Sequence, residues 1–255
     1  MKKIIVLLSV LFLLILPQNA VFGGESQFDY SKYLAPEAYR AIKESQGILH
    51  VIVPTFSQPE TTSVQALAID VEKRLIITVA HMISKYPSVA FSEETAYSFI
   101  FQGKTLSAKL KHLDKDADLA IFELQKGENF PQLKAVKFSK SVEPFVEYYA
   151  LDENLDFYEG IGFYVRETYP YRGCLVGKYS IVKMIPTNPL IAVPLVYEYL
   201  TFDKPIKRGF SGAGLFNKKS EAIGIFRGFI DGYSVAISAE TILRFLEEYK
   251  TSENK

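Results

Sequence analysis

The segment Gly209-Phe210-Ser211-Gly212-Ala213-Gly214 is the stretch on which the fold turns. A glycine at 209 lets the backbone rotate its N–H inward, so the N–H groups of Gly209 and Ser211 can together face a developing oxyanion. Gly212 and Gly214 allow a tight return into an apolar strand that begins Leu215-Phe216. A lone serine hydroxyl is a weak nucleophile at neutral pH. It needs an imidazole to take its proton and a carboxylate to hold that imidazole. Alone, the hexapeptide reads equally well as a glycine-rich turn with an exposed serine, so the rest of the chain must decide.

Two upstream segments supply the missing groups. Thr78-Val79-Ala80-His81 closes an apolar run over 75–80, and His81 begins a short helical turn over 82–85. A side chain at the end of a strand is rigidly held yet can point into a cleft, as a general base requires. Asp118 opens the apolar run 119–124, whereas Asp114 and Asp116 sit in a lysine-bearing turn and are expected to be solvated. Asp118 is therefore the carboxylate expected to be buried and to orient His81. His50 and His112 fall within or directly after strand-like runs, without a motif, and are assigned to the sheet. The roles expected are His81 as general base, Asp118 as orienting acid and Ser211 as nucleophile, with Gly209 and Ser211 forming the oxyanion hole.

Working outward, the pattern is strand-like. Short apolar, β-branched runs occupy 48–53, 75–80, 119–124, 196–202, 222–229 and 233–237, and 105–111 alternates strictly between apolar and polar. Sixteen Tyr and nineteen Phe, with no Trp, suit pleated and half-buried surfaces. Short strands split by Gly, Pro and polar turns, without long intervening helices, indicate a barrel or sandwich. The segment 139–144 is expected to cross between two such units. Pro36 marks the first turn of a short helix over 36–42. The chain ends in a helix over 238–250, with Ser238 as its cap and Ile242, Phe245, Leu246 and Tyr249 as an apolar packing stripe.

The N-terminus reads as a targeting segment. Lys2 and Lys3 precede an apolar run over 4–16, Pro17 breaks it, and Val21-Phe22-Gly23 offers small residues for cleavage. A signal peptide over 1–23 is expected, and the run is too short for a comfortable membrane span. The product would be secreted or periplasmic, touching a membrane only if the segment is retained. Cys174 is the single cysteine, so no intramolecular disulfide exists; it is expected in a loop with Arg172 and Gly173. Across 255 residues, 48% hydrophobic and 23% charged residues describe a globular chain, and 29 basic against 29 acidic groups leave no nucleic-acid tract. Three His and one Cys show no metal-ligand spacing, so neither metal nor cofactor is expected.

The three segments resemble the trypsin-like, chymotrypsin-fold serine peptidase superfamily, whose motifs are a TAAH-like block, D-[IL]-A and G-[DN]-S-G-G. The closer similarity is to the HtrA/Deg-type branch. The run from Asp203 through Lys204, Pro205, Ile206, Lys207 and Arg208 to Gly212 resembles that branch's stretch before its serine. Ala222-Ile223-Gly224-Ile225 and Tyr233-Ser234-Val235-Ala236-Ile237-Ser238 resemble its V-I-G-I and G-F-A-I-P segments. The likeness covers about residues 47–250 and implies an all-β fold of two six-stranded antiparallel β-barrels, about 47–138 and 145–237, with the active site in the cleft between them. A 24–46 extension with a short helix would precede the peptidase domain of 47–255, which leaves no length for a PDZ domain.

The same resemblance implies a secreted serine endopeptidase that cleaves polypeptides through an acyl-enzyme. It also implies a primary pocket lined by Pro205, Ile206, Arg208, Phe226 and Arg227. With no carboxylate there, a small or apolar residue before the cut is expected, or an acidic one drawn by Arg208 or Arg227. Phe210 stands where trypsins carry Asp, which excludes activation by an ion pair to a freshly cut N-terminus, and Ala213 replaces a Gly. These departures keep open a non-catalytic trypsin-fold binding protein. An α/β-hydrolase would require G-x-S-x-G, which Ala213 breaks, and the order Ser, acid, His.

Overall fold

The computed structural model describes residues 33–53, 60–84, 96–127, 130–158, 163–188, 191–230 and 232–253; the signal segment expected over 1–23 lies outside them. Helix α1 (Pro36–Ser45) starts with Pro at its first turn, carries Glu37 at its N-terminal end and Lys43 in its last turn, and buries Ala38 and Ile42. It runs directly into the first barrel.

That barrel is closed by β1 (Gln46–Val53), β2 (Glu60–Asp70), β3 (Leu75–Val79), β4 (Ala96–Phe101), β5 (Lys104–Asp114) and β6 (Leu119–Leu124), in the order β1-β2-β3-β6-β5-β4. All of its pairings are antiparallel. The alternation read over 105–111 appears as Leu106 and Ala108 turned inward, with Ser107 and Lys109 exposed. β3 is buried at every position, which is why it reads as a continuous apolar run rather than an alternating one.

The second sheet comprises β7 (Lys137–Phe138), β8 (Glu147–Tyr158), β9 (Phe163–Asn188), β10 (Ile191–Phe202), β11 (Gly214–Phe216), β12 (Glu221–Ile230) and β13 (Tyr233–Ser238), in the order β11-β8-β9-β10-β13-β12-β7. An additional β11–β12 pairing returns the sheet on itself as a six-stranded ring, with β7 lying parallel on the β12 edge. Two six-stranded antiparallel rings are thus the architecture of the chain.

Several features differ from the sequence expectation. β2, β4, β7 and β8 occupy stretches with no strand reading, and β9 continues through Pro170, Gly173 and Gly177. The long strand persists because it exchanges partners: residues up to Cys174 pair with β8, and those from Leu175 pair with β10. Cys174, expected in a loop, therefore lies in β9 opposite Glu147, with its N–H donating to Asp203 Oδ1 at 2.7 Å.

The larger core cluster fills the first barrel and extends beneath α1 and helix α3 (Ala239–Glu253). A smaller, aromatic-rich core of Tyr148, Tyr171, Phe202, Phe210 and Phe226 fills the second ring. Between the rings runs a buried polar seam. Gln46 Nε2 donates to Leu151 O at 2.6 Å, Gln46 Oε1 accepts Gly214 N–H at 2.9 Å, and Gln65 Nε2 donates to Asp152 Oδ1 at 2.8 Å. No helix among the described residues is long and apolar enough to cross a membrane.

Candidate active site

β3 carries the chain to Ala80, where it turns into the short helix α2 (His81–Ser84). Asp118, just before β6, pins this turn. Its carbonyl accepts Ala80 N–H at 3.0 Å and its Oδ1 accepts His81 N–H at 2.7 Å. The same carboxylate meets His81 Nδ1 through Oδ2 at 2.8 Å and Oδ1 at 3.1 Å. A carboxylate only accepts, so Nδ1 is the donor and Nε2 remains the basic nitrogen. Asp118 adopts a left-handed φ of 57°, which aspartate tolerates better than most residues, and this turns its carboxylate back toward β3. Its side chain is 4% exposed, while that of His81 is 38% exposed. Asp118 is thus shielded from water, while His81 keeps one face open to solvent. Asp114 instead accepts the N–H groups of Asp116 and Ala117, and Asp116 pairs with Lys183, so neither competes for His81.

Ser211 sits on the loop between β10 and β11, bent by positive φ at Gly209 (105°) and Gly212 (84°). Both rings hold this loop. Ser211 C=O accepts Gln65 N–H from β2 at 2.9 Å, and Gly212 N–H donates to Phe226 O on β12 at 2.8 Å. Among the described residues, the N–H groups of Gly209 and Ser211 make no protein hydrogen bond, so both are free to donate to a ligand. Ser211 Oγ donates to the Arg227 carbonyl at 3.4 Å rather than to His81.

Arg227 brings in a partner for which sequence reasoning had a different use. β12 carries a register irregularity between Phe226 and Gly228, leaving Arg227 as the unpaired residue of a bulge. A bulge re-aims a side chain, and here Arg227 Nε donates to Asp118 Oδ2 at 2.8 Å while its guanidinium lies 5.5 Å from the Tyr199 ring centroid. The available signal was a charged residue inside the apolar run 222–229. Of the other residues expected to line a pocket, Phe226 is fully buried among Tyr171, Phe202 and Phe210, and presents no surface to a ligand. Pro205 and Arg208 are exposed, and Ile206 is half-buried with its N–H donating to Ser234 Oγ at 2.8 Å. Phe210 is 2% exposed in the same aromatic core, and Ala213 is fully buried.

The remaining histidines are in the first barrel. His50 Nδ1 lies 3.0 Å from Ser63 Oγ, its register partner on β2, and burial holds its imidazole below the usual range. His112 stacks under α3 against Phe245 and Tyr249. Among the described residues, no group of three His, Cys, Asp or Glu side chains is placed to hold a metal ion.

The family model described as trypsin-like peptidase domain matches residues 66–225. No curated protein matches the chain. Among solved structures, the chain is similar to the crystal structure of the Rv3671c protease from M. tuberculosis in its active form, with a TM-score of 0.60 and 15% identity over 86% of each chain. At that identity the likeness is one of fold, and the fold is chymotrypsin-like.

Proposed function

The chain belongs to the trypsin-like peptidase domain family, and on that premise we propose that it is an exported serine endopeptidase with Ser211 as nucleophile. Membership supports peptide-bond hydrolysis. The observation that carries the serine mechanism is the two-oxygen contact of buried Asp118 with His81 Nδ1, at 2.8 and 3.1 Å, which leaves Nε2 as the base. In the proposed reaction, the Ser211 hydroxyl rotates from the Arg227 carbonyl toward Nε2 and gives up its proton as Oγ attacks the scissile carbonyl. The oxyanion receives the free N–H groups of Gly209 and Ser211. His81, now an imidazolium steadied by Asp118, protonates the leaving amine, and water then hydrolyses the acyl-enzyme by the reverse proton path. Export rests on the basic and apolar pattern of residues 1–23.

Pro205, Ile206 and Arg208 offer no carboxylate to a basic side chain, so the proposal extends to cleavage after a small, apolar or acidic residue. Buried Phe210 cannot pair with a new N-terminus, so the chain beginning at Gly24 is expected to work without further trimming. The second reading, a binding protein on this fold, draws on one observation: Ser211 Oγ rests on Arg227 rather than His81. Digestion of a denatured protein separates the two. The native chain should cleave it, and Ser211→Ala or His81→Ala should lower turnover by roughly 10⁴- to 10⁶-fold, with no further loss in the double variant. Asp118→Asn should cost about 10⁴-fold by holding the wrong tautomer. A native chain no more active than Ser211→Ala supports the binding protein.

A further inference from the structure

Resting on the serine peptidase reading, we propose that Arg227 is a positioning residue that restrains the His81–Asp118–Ser211 assembly and sets a low intrinsic rate. Two contacts of this one residue carry the inference. Its Nε donates to Asp118 Oδ2 at 2.8 Å, and the same oxygen receives His81 Nδ1 at 2.8 Å. Its carbonyl takes the hydroxyl of Ser211 at 3.4 Å. The bulge at Arg227 makes both possible, since it turns the side chain toward the first barrel while the backbone stays beside the nucleophile loop.

The charges give the restraint its sign. Proton transfer from Ser211 converts His81 to a cation, and Asp118 favours that change through its negative charge. Arg227 is a permanent cation sharing the same carboxylate oxygen, so the two cationic nitrogens lie within twice 2.8 Å of each other. Part of the charge of Asp118 is thereby answered before the imidazolium forms. A neutral donor at this place would hold the carboxylate equally well without opposing the new charge. The contact is shielded on one side, with Asp118 4% and Arg227 34% exposed, so solvent screens it only in part. The carbonyl contact acts in the same direction, because it points the hydroxyl proton away from the base.

The test is steady-state peptide hydrolysis, together with the rate at which a fluorophosphonate labels Ser211, in Arg227→Gln, Arg227→Ser and Arg227→Lys. Gln and Ser remove the charge and keep a polar group. Both should raise kcat by about 10-fold, with KM within about 2-fold and labelling faster in proportion. Arg227→Lys keeps the cation and should stay below both neutral variants. A merely structural arginine would not yield faster enzymes, nor would it separate Lys from Gln. Neutral variants no faster than the native chain, or unable to fold, overturn the proposal. The peptidase reading fails separately, and the restraint with it, if Ser211 is labelled in none of the four proteins.

Discussion

A methyl group at position 212 would overlap the Gln65 carbonyl oxygen and lie 2.6 Å from Thr78 Oγ1. Gly212 also holds a φ of 84°, a conformation costly for any L side chain. These constraints meet beside Ser211, whose loop is hydrogen-bonded to β2 of the first barrel. Gly212→Ala should therefore cost about 2–4 kcal/mol in urea unfolding and abolish activity. At this scale the sequence was legible wherever chemistry is written into residue type. Gly209, Ser211, His81 and Asp118 stand out only together, since a serine among glycines reads equally well as a turn until a histidine and an acid opening an apolar strand precede it in order. Arg227 was legible only as an oddity. Its contact with Asp118 depends on a bulge, which no residue pattern in 222–229 announces.

At the scale of elements, α3 shows local signals read correctly. Ser238 Oγ accepts Thr241 N–H at 3.2 Å, which is the cap expected from its position, and Phe245 and Tyr249 close over His112. Ser238→Ala should destabilise by about 1 kcal/mol, and Phe245→Ala, which empties a site 2% exposed, by about 3–5 kcal/mol. Lys73→Ala breaks an ion pair to Glu253 in which the lysine is 56% exposed, and should change stability by less than about 0.5 kcal/mol. Urea titrations of the three variants should rank the loss largest for Phe245→Ala, intermediate for Ser238→Ala and smallest for Lys73→Ala. The strands were less evenly legible. β3 and β6 are buried on both faces and read as apolar runs, whereas β9 hides its continuity behind Pro170, Gly173 and Gly177. A Cβ at Gly173 would collide with the Tyr171 side chain, and one at Gly177 would lie 2.9 Å from Thr201 Oγ1, so both glycines mark close packing rather than turns.

For the molecule as a whole, the relation between the two rings matters most, because His81 and Asp118 belong to the first and Ser211 to the second. The polar seam fixes it. Gln46 joins α1 and β1 to Leu151 O on β8 and to Gly214 N–H on β11, three residues beyond Ser211. No sequence motif marks Gln46 or Gln65, since their partners, the backbone groups of Leu151 and Gly214 and the carboxylate of Asp152, are brought together only by the finished fold. Gln46→Leu should strand a buried carbonyl and a buried N–H, costing about 2–5 kcal/mol. It should also lower kcat by roughly 10- to 100-fold through a shifted nucleophile, with cleavage specificity unchanged, as a peptide-library profile would register.

The central claim is that His81, held by Asp118, activates Ser211 across this interface. Mass spectrometry after fluorophosphonate treatment of the folded chain tests it most directly. The account predicts one adduct, on Ser211 and no other serine, lost in His81→Ala because an unassisted hydroxyl is barely nucleophilic. An unmodified Ser211 under conditions that label an ordinary serine peptidase, or labelling undiminished in His81→Ala, would contradict it.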